Sequence, residues 1–214
     1  MKVIASFEID PEKGFTHQCN ELAIDGGDEI VPELNENAKL AVYRYLSRDM
    51  HPKGAAWETE TPELIGQPME NPLQEVDRHW VAHCEFGTKG AELLDGLPHP
   101  ILGYDFTIVK GFEKDVHPYG ACYQDLSEKK PTGIISEMIV QGVTHVILGG
   151  LAFDFCVATT AMQLARTGKF KVIINKAATR SVSPETEVAA KKQLEGAGVV
   201  ILKDAKAVKE YLGK

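Results

Sequence analysis

Long apolar runs are missing from this 214-residue chain, and no stretch approaches the ~18–20 apolar residues of a membrane span. Near the start, Val3-Ile4-Ala5 is broken at once by Ser6 and Glu8, too short a run for the core of an export signal. Cysteine is scarce: Cys19, Cys84, Cys122 and Cys156 stand far apart and form no C-x-x-C pair. Free thiols in a reducing, cytoplasmic setting are therefore expected rather than a disulfide framework. Basic residues are in deficit, 23 Lys and Arg against 31 Asp and Glu, for a net charge of −8 and a pI near 5.4. That balance argues against a nucleic-acid or anionic-membrane surface, which needs basic patches. Internal repeats, low-complexity tracts and inter-domain linkers are absent too. What remains is ordinary for a globular protein, 43% hydrophobic and 25% charged, and one domain spanning residues 1–214 is expected.

Short β-rich apolar runs recur at 3–9, 40–46, 104–109, 143–148, 171–174 and 199–202. Helical patterns lie between several of them, at 89–94, 132–141, 154–167, 184–197 and 205–212. The helix from Pro184 has Ser183 as N-cap and a proline in its first position, and Gly196-Ala197-Gly198 closes it. Strands alternating with helices imply right-handed βαβ units. The expected fold is α/β, a largely parallel central sheet of about six strands with helices on both faces. The segment 57–78 has many turn residues and no periodicity, and reads as a long surface loop of the kind that covers a site.

In an open α/β sheet the ligand crevice lies outside the carboxyl ends of the strands. Asp10 follows the first run, Asp49 and His51 the second, Lys110 the third, and Cys156 the fourth after a glycine turn. Cys156 stands where a helix begins, and the unpaired N–H groups and partial positive charge there favour a thiolate. Taken singly, each residue has a plainer explanation: a core cysteine, an Asp-Pro turn, an exposed Lys-Gly loop. Together on one rim they make a nucleophile, a group to take its proton and a cation to hold its charge. Asp49-Met50-His51 puts two side chains on one face if the strand continues, and His83 supplies a third ligand. One carboxylate and two imidazoles suit one divalent ion, zinc ahead of iron or manganese. His17, His79, His99, His117 and His145 show no comparable spacing, with His79 the best spare.

The motifs in order are "IDPEKGFTHQCNELAIDGGDEIVPELN", "SRDMHP", "HWVAHCEFGTKGAEL", "VKGFEKDVHPYGAC" and "GGLAFDFCVATTA". From Ile9 to about Gly198 the chain resembles the nicotinamidase/pyrazinamidase branch of the isochorismatase-like cysteine hydrolases. The resemblance implies the isochorismatase-like hydrolase fold and a catalytic triad of Asp10, Lys110 and Cys156. It implies metal ligands Asp49, His51 and His83, and aromatic walls Phe15 and Trp80 around a pyridine ring. It also implies a non-proline cis bond between Leu151 and Ala152, with the Ala152 and Cys156 N–H groups as an oxyanion hole. The implied reaction is hydrolysis of nicotinamide, and of pyrazinamide, through a cysteine thioester. The implied partner is thus a small molecule, with a homo-oligomer left open.

Three departures stand out. The family's D-x-Q-x-D-F is D-P-E-K-G-F here, the histidine that often follows D-x-H-P is missing around Ala55, and the aspartate after the fifth strand is replaced around Lys176. With no fourth protein ligand, the ion should be held loosely and stripped readily by a chelator. The competing readings are a metal-free relative acting on another small substrate, a redox thiol protein, and a non-catalytic metal scaffold. The first lacks the D-x-H and the later histidine, the second leaves Asp49, His51 and His83 without a purpose, and the third leaves the triad unexplained.

Overall fold

The computed structural model describes residues 2–214. Six parallel strands form one sheet: β1 (Ile4–Ile9), β2 (Tyr43–Asp49), β5 (Phe106–Lys110), β6 (His145–Leu151), β7 (Lys171–Arg180) and β8 (Val200–Leu202), in the order β5-β2-β1-β6-β7-β8. Each of the six expected runs becomes a strand, with its ends moved by up to six residues. Period-2 alternation sends neighbouring residues of a strand into different cores. Ala5, Phe7 and Ile9 of β1 pack with Val146, Leu148, Val172 and Ile174 on one face, while Ile4, Ile147 and Ile173 pack on the other. Both faces are apolar, as a parallel sheet covered on both sides requires.

One face carries α2 (Ile134–Val140), α3 (Ala158–Arg166) and α4 (Pro184–Gly196), through Ile134, Met138, Ala161, Leu164, Ala190 and Leu194. The other carries α1 (Val31–Leu40) and α5 (Ala205–Leu212), whose Val208 and Leu212 pack on Ile4, Ile147 and Ile173. Ser183 caps α4 by accepting from the Thr186 N–H, with Pro184 in the first turn. Among the described residues, no helix is long and apolar enough to cross a membrane.

Two expected elements fail and one was not expected. The helix at 89–94 does not form, because its backbone bonds to the segment after β1 instead: Lys13 N–H donates to Glu92 O, Gly14 N–H to Gly90 O and Leu94 N–H to Pro11 O. The segment 57–78 is not plain loop. It holds a 3₁₀ turn at Pro62–Leu64 and an antiparallel hairpin of β3 (Pro68–Leu73) and β4 (Val76–Arg78). Pro68, Pro72 and a register shift hide the alternation that would have marked it. Its first residue, Trp57, is fully buried. Helix α1 escaped notice because its apolar side is thin: only Val31, Leu34 and Asn37 are buried.

Candidate active site

Parallel strands end at one edge, so the residues at the ends of β5, β2, β1 and β6, four neighbours in the sheet, come together. Asp49 and Lys110 are register partners, and Ile9 pairs with Ser47 on one side and Gly150 on the other. The chain builds β1-β2-β5 to one side and β6-β7-β8 to the other, so the switch point falls between β1 and β6. Asp10 and Cys156 stand just beyond those two strands.

Asp10 follows β1 at φ 47°, the left-handed region that aspartate tolerates better than most residues. There its carboxylate accepts from Ser47 Oγ at 2.6 Å and lies 3.0 Å from Lys110 Nζ. Lys110 Nζ also donates to Asp49 Oδ1 at 2.9 Å and to the Pro118 carbonyl at 3.1 Å, and lies 3.9 Å from Cys156 Sγ. All four side chains are buried. Gly111 makes the junction possible: it has φ +80°, and a Cβ there would stand 2.4 Å from His51 Cε1.

Burial opposes the ammonium of Lys110, but Asp10 and Asp49 together hold it well above the ordinary lysine range. Asp49 is likewise opposed by burial yet lies well below the carboxylate range, because His51 and Lys110 favour its charge. Asp10 is raised by burial, against the pull of Lys110. The Cys156 thiol is pushed well up by burial despite Lys110, and the charges of Asp10 and Asp49 further favour the protonated form. This departs from the thiolate expected at a helix start. Cys156 lies within a π turn, Phe153–Val157, ahead of α3, and burial outweighs the cation. The resting pair is a thiol beside a carboxyl group of raised basicity, so the proton must be removed during the reaction.

The imidazoles of His51 and His83 each commit Nδ1 to a backbone carbonyl, Gly111 O at 2.8 Å and Val81 O at 2.7 Å. This leaves both Nε2 atoms facing Asp49 Oδ2, at 3.0 and 3.6 Å. His51 Nε2 is buried without a hydrogen-bond partner among the described residues. An imidazole fixed by Nδ1 and bare at Nε2 beside a carboxylate is the usual setting of a metal ligand, and the donor set fits a divalent transition ion. Asp49, His51 and His83 are thus brought together as the spacing suggested. His117, set aside in the sequence, joins them: ligand atoms of His51, His83 and His117 lie within 4.8 Å of one another. It comes from the loop after β5, and no spacing to the other histidines could have signalled it. Trp57 packs on all three rings, with centroids 4.6, 5.1 and 4.7 Å away.

A cavity opens beside these groups, lined by Phe15, Leu22, Ile24, Trp80, Tyr119, Ala152, Phe155 and Val182, with Asp49, His83, His117 and Cys156 at its polar side. Phe15 and Trp80 are both on its wall. Trp80 Nε1 donates to Tyr119 Oη at 3.2 Å, and Tyr119 donates to Asp77 Oδ1 at 2.8 Å, a chain the motifs did not reveal. The Leu151–Ala152 peptide bond is cis. A buried thiol, carboxyl and ammonium in contact, facing a small aromatic-walled cavity, equip the site for covalent hydrolysis of a small planar molecule.

Residues 7–205 match the model of the Isochorismatase domain family, and the chain belongs to that family. It is 29% identical to a nicotinamidase of Acinetobacter baylyi, over 78% of this chain and 76% of that one. Its structure superposes on a nicotinamidase/pyrazinamidase of Acinetobacter baumannii with a TM-score of 0.85 and 26% identity, covering 97% and 99% of the two chains. The pyrazinamidase of Pyrococcus horikoshii in complex with zinc gives a TM-score of 0.71 at 26% identity, over 94% of this chain and 98% of that one.

Proposed function

We propose that this chain hydrolyses nicotinamide to nicotinate and ammonia, and accepts pyrazinamide as well, with one divalent ion bound, zinc in preference to iron or manganese. The observation that carries the reading is Lys110 Nζ, held between Asp10, Asp49 and Cys156, the last two of which line a cavity walled by Phe15 and Trp80. The nicotinamidase and pyrazinamidase relatives support the choice of a pyridine or pyrazine carboxamide. Four free cysteines fit a cytoplasmic setting.

Asp49, His51 and His83 would hold the ion, and when bound it supplies a Lewis-acidic contact for the ring nitrogen. Phe15 and Trp80 sandwich the ring and exclude water, so that the carboxamide carbon meets Cys156 Sγ. Asp10 takes the thiol proton as sulfur attacks, and the Ala152 and Cys156 N–H groups receive the developing oxyanion. Asp10 then gives that proton to the nitrogen, the C–N bond breaks, and ammonia leaves a thioester. Water attacks the thioester with Asp10 as base, and the proton returns to sulfur as nicotinate departs. Lys110 keeps its charge throughout and steadies whichever of Asp10 and Cys156 is anionic. Ammonia release from nicotinamide by the purified protein, with and without a chelator, tests the reading. Release that the chelator abolishes and added divalent ion restores is expected; no release overturns it.

A further inference from the structure

The departure around Ala55 removes a histidine from the loop after D-x-H-P, and the structure supplies another from elsewhere. We propose that His117 is the fourth protein ligand of the divalent ion, completing a set of Asp49, His51, His83 and His117. The inference rests on the proposed presence of that ion and adds a ligand to it.

His117 is 4% exposed, and neither Nδ1 nor Nε2 has a hydrogen-bond partner among the described residues. A buried imidazole with both nitrogens bare forfeits hydrogen bonds that water would supply, a cost that a structural histidine normally avoids. The third bare imidazole nitrogen in this cluster is His51 Nε2, and the two rings lie 5.3 Å apart at an interplanar angle of 14°. His83 closes the triangle, with centroids 4.8 Å from His51 and 5.9 Å from His117. Three donors at about 2.1 Å from one ion lie about 3.4–3.6 Å apart, so these ligand atoms, all within 4.8 Å of one another, come together on an ion when their side chains draw inward.

His117 is also held in place from both directions. Its backbone N–H donates to Glu75 O of the hairpin turn at 2.8 Å, and Lys110 Nζ grips the carbonyl of the next residue, Pro118, at 3.1 Å. The hairpin segment thus serves the site by fixing a ligand and by laying Trp57 over the three rings, which keeps water from the cluster. A ligand fixed this way pays little entropy on binding and tightens the site.

The test uses the intact protein dialysed with zinc alone. X-ray absorption at the zinc edge should count three imidazoles in the wild type and two in His117→Ala. Competition with a chromophoric chelator should show zinc bound at least about 100-fold more weakly in His117→Ala, beyond the loss expected for an outer partner of a ligand. His117→Gln, close in size and able to offer an oxygen, should keep the fold and recover part of that loss. Two imidazoles in the wild type, or unchanged zinc affinity in His117→Ala with an altered KM instead, would make His117 a cavity wall and overturn the proposal. Wild type that takes up no stoichiometric zinc, iron or manganese overturns the ion itself and hence both readings. Because the wild-type count decides the matter alone, a variant that fails to fold does not leave it open.

Discussion

Lys110 Nζ sits 3.0 Å from Asp10 Oδ2 and 2.9 Å from Asp49 Oδ1, so one buried ammonium joins the carboxyl group proposed as the base to the carboxylate that faces the histidines. Burying this charge is offset by two opposite charges and a carbonyl, and removing it leaves two carboxyl groups unpaired in the interior. Lys110→Met should therefore lower stability by about 3–5 kcal/mol as well as abolish turnover. Asp10→Asn and Lys110→Met should each remove nearly all activity, and the double variant little more, because the two act as one unit. Denaturant titration and steady-state rates check both. Small single losses that simply add would contradict the coupling.

The Cys156 thiol should resist alkylation at pH 7 in the free protein. Burial and the charges of Asp10 and Asp49 hold it well above the ordinary thiol range, so the thiolate forms only as pH rises. Iodoacetamide followed by peptide mass spectrometry should label Cys19, which is partly exposed, before Cys156. Rapid, selective labelling of Cys156 below pH 7 would indicate a standing thiolate and remove the need for Asp10 as base.

Glu12 stands where the family has a glutamine, and its two carboxyl oxygens are buried without hydrogen-bond partners among the described residues. Burial first, then the charge of Asp10, hold it well above the ordinary range. The folded protein holds this proton to higher pH than the unfolded chain, which releases it above about pH 4.3. The stability linked to it is full below that pH and is lost as pH rises toward the folded value. Glu12→Gln, which carries no such proton, should melt higher than wild type at pH 7, by about 2–4 °C per kcal/mol gained. The gap should close toward pH 4. A variant less stable at pH 7 by an amount independent of pH would contradict a protonated Glu12.

The fold was legible because both cores are written in period 2 along the strands, and the strand ends then place Asp10, Asp49, Lys110 and Cys156 on one rim. What escaped depended on contacts distant in sequence. The 89–94 segment has an amphipathic look, yet its N–H and C=O groups are claimed by Pro11–Gly14. His117 carries no motif of its own, and only the loop between Lys110 and Pro118 carries it to His51. The thiol's protonation is not legible in the sequence, because a helix start is visible there and desolvation is not.

With His117 in the set, chelation should be slow rather than ready, reversing the expectation from three ligands. Incubation with excess chelator should leave wild-type activity falling over hours, while His117→Ala loses it at once. Equal, immediate loss in both would return the site to three ligands.

The most direct test of the account is to quench the reaction with nicotinamide in acid during turnover and map the adduct by mass spectrometry, alongside ammonia release by Cys156→Ala. The account predicts a nicotinoyl group on Cys156 alone and no ammonia from the variant. Ammonia at the wild-type rate from Cys156→Ala, or an adduct on Cys19, Cys84 or Cys122 instead, would contradict it.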